Sequence, residues 1–104
     1  MKGTLTLIPT PIDENNSLNP ESFTLLNDAF VKHKDESIFV VEDIKPGRKR
    51  WLHFGLPREA IEGFWTLNEH NFKEQTKKLI VELNQGKNVF LMSDGGLPAF
   101  CDPG

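Results

Sequence analysis

The chain of 104 residues has the length of one domain, and with 38% hydrophobic and 26% charged residues it is composed like an ordinary globular protein. A net charge of -3 excludes a globally basic surface, so any contact with nucleic acid requires a local positive patch. The single cysteine, Cys101, excludes an internal disulfide framework and favours the reducing cytoplasm. Because the longest apolar runs, "IFVV" and "VFLM", are short, we expect no membrane-spanning helix.

The first half of the chain predicts a strand, a helix and a second strand. The alternating residues 4–8 are β-prone, and the prolines that follow end this strand. The Asn-Pro pair at 19–20 is typical of a helix N-cap and first helical position, and apolar residues at helical spacing continue the helix to His33 and Lys34. The apolar run Ser37–Val41 predicts a strand buried on both faces.

The second half predicts a short helix, a strand, a longer helix and a last strand. The short helix is expected from about residue 48 to residue 54, with Gly55 as its stop. Residues 63–67 predict a strand, and the longer helix that follows ends at Gly86. Asn88–Met92 predicts another buried strand. The buried face of the longer helix is predicted to contain Phe72, Thr76, Leu79, Ile80 and Leu83.

Strands and helices therefore alternate along residues 1–104, which predicts one α/β domain. We expect a mainly parallel sheet of about four to five strands flanked by helices on both faces, since crossovers between parallel strands are right-handed. In such a sheet the carboxyl ends of the strands lie at one edge, where ligands bind. The stretches after the four strands are "PTP", "ED", "NEHN" and "SDGG". Their convergence indicates a site, although ordinary polar turns have the same composition.

These stretches contain several groups that suit binding or catalysis. Gly95 and Gly96 allow a ligand to lie against bare backbone, but the pattern is neither a P-loop nor G-x-G-x-x-G. In extended backbone the adjacent Glu42 and Asp43 point apart, so at most one of them faces the crevice. His70 suits a general base or a substrate contact, and its alternative is a capping or structural role.

Two further observations concern nucleic acid and metals. The stretch "KPGRKR" carries four positive charges that can position the phosphates of a nucleic acid, and a solvated turn and helix start is the alternative. These charges belong to Lys45, Arg48, Lys49 and Arg50. His33, His53 and Cys101 lack the spacing of metal ligands, so no metal site is expected.

Four stretches carry a resemblance to a known family: "LIPTPIDEN", "VVEDIKPGRKRWLHFG", "NEHN" and "LMSDGGLPAFCDPG". Together they resemble the start of the tetrapyrrole methylase superfamily, in the branch of the ribosomal RNA small subunit methyltransferases I. That branch carries, in the same order, a Thr-Pro-Ile-Gly-Asn turn, a Glu-Asp-Thr-Arg stretch, a His-Asn-Glu helix start and a Ser-Asp-Ala-Gly-x-Pro loop followed by Asp-Pro-Gly. The resemblance covers essentially the whole chain. The departures include Asp13 in place of glycine, and Ile44 and Lys45 in place of Thr-Arg.

The resemblance implies a protein of two α/β domains that binds S-adenosylmethionine in the cleft between them and forms a homodimer. Residues 1–104 then represent the N-terminal domain, and the C-terminal domain is absent from this chain. By matching motifs, the implied cofactor-side residues are Pro9, Thr10, Pro11, Ser93, Asp94, Gly95, Gly96 and Pro98. The implied catalytic residues on the acceptor side are Glu42, Asp43, His70 and Asn71.

The function implied by the resemblance is methylation of ribosomal RNA at a ribose 2′-hydroxyl, with the isolated chain inactive. If a ribose hydroxyl is the acceptor, the candidate base is His70 or one of Glu42 and Asp43. Two alternatives stay open, namely methylation of a small tetrapyrrole-like molecule and a non-catalytic α/β interaction domain.

Overall fold

The computed structural model describes residues 2–13 and 15–93, and within them strands and helices alternate as predicted. The strands are β1 (Leu5–Ile8), β2 (Ser37–Val41), β3 (Trp65–Thr66) and β4 (Asn88–Met92). The helices are α1 (Pro20–His33), α2 (Ile44–His53) and α3 (Phe72–Asn84), with 3₁₀ turns at Lys34–Glu36 and Arg58–Gly63. The α/β class and the parallel sheet flanked by helices are therefore confirmed.

All strand pairs are parallel, and the spatial order is β1-β4-β2-β3. The connections from β1 to β2 and from β2 to β3 run in one direction across the sheet, whereas the connection from β3 to β4 runs back. Because crossovers are right-handed, two connections that run in opposite directions across the sheet place their helices on opposite faces. Accordingly, α1 and α2 cover one face and α3 covers the other.

Each face of the sheet has its own apolar core. Phe39 and Val41 of β2 point toward α1 and α2, whereas Val40 between them packs in the cluster that contains Leu79 of α3. This alternation follows from the two-residue period of a strand, and it confirms that β2 is buried on both faces. The larger core is aromatic, with the ring centroids of Phe39 and Trp51 5.1 Å apart.

The helix ends follow the expected signals. Asn19 caps α1, since its side chain accepts a hydrogen bond from the Ser22 N–H at 2.8 Å. Gly55 after α2 and Gly86 after α3 have positive φ angles of 79° and 92°, which suit glycine at a helix stop.

Helix α2 begins at Ile44, four residues earlier than predicted. Pro46 lies in its first turn, where backbone N–H groups have no helical partner, so the missing N–H of proline costs no hydrogen bond. The first helical bond is donated by the Gly47 N–H to the Asp43 carbonyl at 3.0 Å. Glycine suits this position because a Cβ would lie 2.7 Å from the Cβ of Val41.

We therefore expect Gly47→Ala to lower the free energy of unfolding by about 1–3 kcal/mol, despite the better helix propensity of alanine. The added methyl group would meet three atoms of buried Val41 at less than 3.0 Å, and one of them is a Cβ that no rotamer change can move. Gly63→Ala is the control, since a Cβ there meets nothing within 4 Å. Urea unfolding checks both, and an unchanged midpoint for Gly47→Ala would contradict the close packing.

Two other expectations are corrected. Strand β3 is only Trp65–Thr66, because the preceding residues form the 3₁₀ turn Arg58–Gly63. On α3, Leu79 is buried, but Phe72 and Ile80 are 41% and 50% exposed. On this helix Leu79 belongs to the apolar cluster of that sheet face and Leu83 packs against it, whereas Phe72 and Ile80 lie outside the cluster.

Strand β1 is an outer strand of the sheet, and part of its surface is uncovered. Leu5 and Leu7 lie opposite Val89 and Leu91 in the parallel ladder, so they are on the α3 face. They remain 55% and 42% exposed.

Candidate functional site

The carboxyl ends of the four strands lie at one edge of the sheet, because all strands are parallel. Thr10 follows β1, Glu42 follows β2, Asn68 follows β3 and Ser93 follows β4. The convergence of these four loops is what the sequence predicted. The edge is therefore the place to look for a site.

A crevice is expected between β2 and β3. The loop after β2 leads to α2 on one face of the sheet, and the loop after β3 leads to α3 on the opposite face. Adjacent loops that diverge in this way form the topological switch point at which α/β sheets bind ligands. Glu42 and Asp43 lie on one side of this crevice, and Asn68 lies on the other.

Asn68 bridges the two sides of the crevice. Its amide Nδ2 donates to the Glu42 carbonyl at 2.9 Å and to Asp43 Oδ1 at 3.4 Å. Its Oδ1 accepts from the backbone N–H groups of His70 and Asn71 at 2.9 and 3.2 Å. The Asn68 side chain therefore fixes the loop after β3 to the end of β2.

Asn71, predicted as a catalytic residue, has its amide engaged within the fold. Its Oδ1 accepts from the Asn68 N–H at 2.8 Å, and its Nδ2 donates to the carbonyl and hydroxyl of Thr66 at 3.2 and 3.0 Å. His70 is placed differently: its side chain is 86% exposed, and its Nε2 lies 3.8 Å from Glu69 Oε1. Asn71 thus shapes the loop that presents His70 to solvent.

We expect Asn68→Ala to lower the free energy of unfolding by about 1–3 kcal/mol, because it leaves several polar groups without their partner. His70→Ala is the control, and it should change stability by less than about 0.5 kcal/mol since the side chain is exposed. Thermal or urea unfolding distinguishes them. Equal effects of the two substitutions would contradict the bridging role of Asn68.

The other end of the edge joins β1 to β4. Buried Thr10 has its hydroxyl 3.3 Å from both the carbonyl and the hydroxyl of Ser93. Pro9 is exposed and Pro11 is half-buried. Four predicted cofactor-side residues lie outside the described residues, namely Asp94, Gly95, Gly96 and Pro98.

The four basic residues predicted to contact RNA differ in their exposure to solvent. Lys45, Arg48 and Lys49 are exposed on α2. Arg50 is only 4% exposed, and its guanidinium donates to the Pro11 carbonyl. It also lies 5.7 Å from the ring centre of Phe54. Arg50 therefore connects α2 to the loop after β1 and is not on the surface where RNA would bind.

Sequence reasoning gave no separate role to Asn68 and placed Arg50 on the surface. The signal for Asn68 is its spacing: an asparagine whose side chain bonds the N–H groups two and three residues later makes a turn before a helix. The signal for Arg50 is weaker, since it lies next to Trp51 in a stretch of charged residues. Only the helix register shows that it faces inward.

Two negative findings apply to the described part of the chain. No helix in residues 2–13 and 15–93 is long and apolar enough to cross a membrane. Within the same residues, no three side chains of His, Cys, Asp or Glu are grouped so as to hold a metal ion.

Comparison with known proteins finds several relatives along the whole chain. The ribosomal RNA small subunit methyltransferase I of Halalkalibacterium halodurans is 34% identical over 103 residues, which are 99% of this chain and 32% of the relative. The proteins of the same name from Buchnera aphidicola and Pseudomonas aeruginosa are 31% and 28% identical over 102 residues, covering 98% of this chain and 32% of each relative.

No model of a protein family matches the sequence. The chain spans about a third of the length of the curated relatives it matches. The motifs at the carboxyl edge of the sheet lie within the matched residues, which are 99% of this chain. Along its whole length the chain is therefore similar to about a third of each of these ribosomal RNA small subunit methyltransferases I.

Proposed function

We propose that the full-length protein transfers a methyl group from S-adenosylmethionine to ribosomal RNA, with a ribose 2′-hydroxyl as the acceptor. The observation that carries this proposal is the match of the entire chain to relatives named ribosomal RNA small subunit methyltransferase I. The convergence of four polar loops at one sheet edge supports it, since this is where an α/β domain binds its ligands. A homodimer, a cytoplasmic location and inactivity of the isolated chain stay predictions.

The polar groups just after β1 and β4 suit the chemistry of the cofactor. Two hydroxyl groups, those of Thr10 and Ser93, lie together there beside the carbonyl of Ser93. Such groups suit the amine, carboxylate and ribose hydroxyls of S-adenosylmethionine. Thr10, Ser93 and the backbone of the loop after β1 would hold the cofactor, which supplies an electrophilic methyl group when bound.

The groups on the acceptor side are the carboxylates of Glu42 and Asp43 and the imidazole of His70. The work of this side is to orient the acceptor, exclude water and accept the proton that the hydroxyl loses. Glu42 is half-buried at the end of β2, and the Asp43 carboxylate accepts from Asn68 at the crevice. His70 is too exposed in the described residues to exclude water by itself.

The RNA would be held mainly through its phosphates. Lys45, Arg48 and Lys49 project from α2, whose first residue directly follows the crevice. Contacts between basic side chains and phosphates position a nucleic acid without reading its sequence. Arg50 is left out of this surface because it is buried.

Titration of S-adenosylmethionine into the full-length protein tests the cofactor assignment. We expect micromolar binding by calorimetry, weakened about 10- to 100-fold by Asp94→Ala, which removes a charged hydrogen-bond acceptor at a position matched to the cofactor-side loop. Asp28→Ala on α1 is the matched control, since among the described residues Asp28 forms a surface pair with Lys32 at 3.7 Å. A folded wild-type protein that does not bind would contradict the proposal.

A further inference from the structure

A cleft runs along the outer edge of β3, apart from the residues proposed above to bind the cofactor and the acceptor. Its volume is about 440 Å³, and it is open to solvent. Its walls come from three elements: the start of α2, strand β3 with the residue before it, and helix α3. The lining residues are Ile44, Phe64, Trp65, Thr66, Gln75 and Lys78.

The cleft adjoins the switch-point crevice. Ile44 follows directly after Asp43, and Thr66 lies two residues before Asn68. A group bound in the cleft therefore lies next to the residues at the ends of β2 and β3 that Asn68 joins. This proximity makes the cleft a subsite of the same edge of the sheet.

The backbone of β3 offers a hydrogen-bond donor to the cleft. The Leu67 N–H donates to the Val41 carbonyl at 2.8 Å, so the N–H and C=O of Thr66, the preceding residue, point away from β2. The Thr66 carbonyl is already occupied by the amides of Gln75 and Asn71, at 2.9 and 3.2 Å. The Thr66 N–H is the group left facing outward.

The side chains add an acceptor, a cation and an apolar wall. Because Gln75 donates through Nε2 to Thr66, its Oε1 is left as an acceptor. Lys78, one turn further along α3, is exposed and carries a positive charge. Half-buried Trp65 presents an aromatic ring, and Ile44 is 41% exposed beside it.

We infer that this cleft binds an unstacked nucleobase of the RNA, next to the nucleotide that is methylated. A nucleobase has an aromatic face for Trp65, an edge of donors and acceptors for Gln75 and Thr66, and a neighbouring phosphate for Lys78. The inference rests on the proposed function, because it assumes an RNA substrate.

An extended peptide is a poorer fit to the same cleft. Pairing with another strand requires a row of free N–H and C=O groups, whereas β3 has two residues and its outward carbonyl is occupied. The cleft therefore favours a flat, single group over an added strand.

Tryptophan fluorescence of the full-length protein tests the inference, with a single-stranded RNA oligonucleotide as the probe. Stacking of a base on Trp65 should quench part of the emission, and this quenching should be lost in Trp65→Leu, which keeps an apolar side chain against the core on the α3 face. Binding should weaken about 5- to 100-fold in that variant. Lys78→Met should lower the slope of log affinity against log salt by about 0.7.

Lys77→Met is the matched control, since Lys77 is exposed on the same helix but does not line the cleft. It should leave the quenching unchanged. RNA binding that is insensitive to both Trp65→Leu and Lys78→Met would overturn the nucleobase site while leaving the methyltransferase proposal intact. Binding of S-adenosylmethionine without any binding of RNA would overturn the site together with the choice of substrate.

Discussion

Trp51→Ala is expected to lower the free energy of unfolding by about 3–5 kcal/mol, the largest effect of a single substitution that we expect in this chain. Trp51 is 0% exposed, and its ring lies 5.1 Å from the ring centres of both Phe39 and Phe64. Its indole Nε1 also donates to the Pro57 carbonyl at 2.6 Å. Truncation would remove the contacts among α2, β2 and the 3₁₀ turn before β3, and it would leave a cavity in the larger core.

Comparison of Trp51→Ala with Trp51→Phe separates packing from hydrogen bonding at this position. Trp51→Phe keeps an aromatic ring but removes the indole donor, so we expect a loss of about 1–3 kcal/mol. Leu52→Ala, at the next residue of α2, is the surface control because Leu52 is 36% exposed. Equilibrium unfolding in urea, followed by circular dichroism, measures all three. A loss of less than about 1 kcal/mol for Trp51→Ala would show that the aromatic cluster does not hold α2 in place.

Replacement of the three exposed charges of α2 by glutamine is expected to weaken RNA binding by the full-length protein on the order of 100-fold at about 0.1 M salt. The residues are Lys45, Arg48 and Lys49. The physical reason is that each phosphate contact releases condensed counterions, so the slope of log affinity against log salt should fall by about 2. Affinity for S-adenosylmethionine should not change, because these side chains lie on α2 and not at the end of β1 and β4.

The matched control replaces three lysines near the amino ends of the strands, opposite the carboxyl ends where the site lies. Lys32 lies in the last turn of α1, Lys34 begins the 3₁₀ turn that leads to β2, and Lys87 directly precedes β4. Their replacement by glutamine makes the same change in net charge. Electrophoretic mobility shifts at several salt concentrations compare the two triple variants. An equal loss in both would show that overall charge, and not the surface of α2, determines RNA binding.

Much of this fold is predictable from local patterns, because its elements carry clear signals. Asn19 and Pro20 define the start of α1, and Gly55 and Gly86 define helix ends through their backbone conformation. The parallel arrangement follows from alternation of strands and helices, and it alone brings the four loops to one edge.

Other features depend on tertiary contacts that periodicity does not reveal. The early start of α2 depends on Gly47 packing against Val41, and the exposure of Ile80 depends on how α3 is rotated against the sheet, since Leu79 and not Ile80 belongs to the core. Arg50 shows how far the site residues can be predicted from sequence. It lies among charged residues, and nothing in this local sequence indicates that its side chain is buried. The network around Asn68 likewise requires the end of β2 to be its neighbour.

The two outer strands of the sheet, β1 and β3, differ in how readily each would pair with another molecule in concentrated solution. At β3 the outward carbonyl is occupied by Asn71 and Gln75, which blocks pairing with a foreign strand. Among the described residues, β1 is bonded on one side only, and it presents the exposed Leu5 and Leu7 on its uncovered face. In this chain expressed by itself, β1 is therefore the segment that favours self-association and aggregation. Lysine at position 5 or 7 would raise its solubility without touching either core.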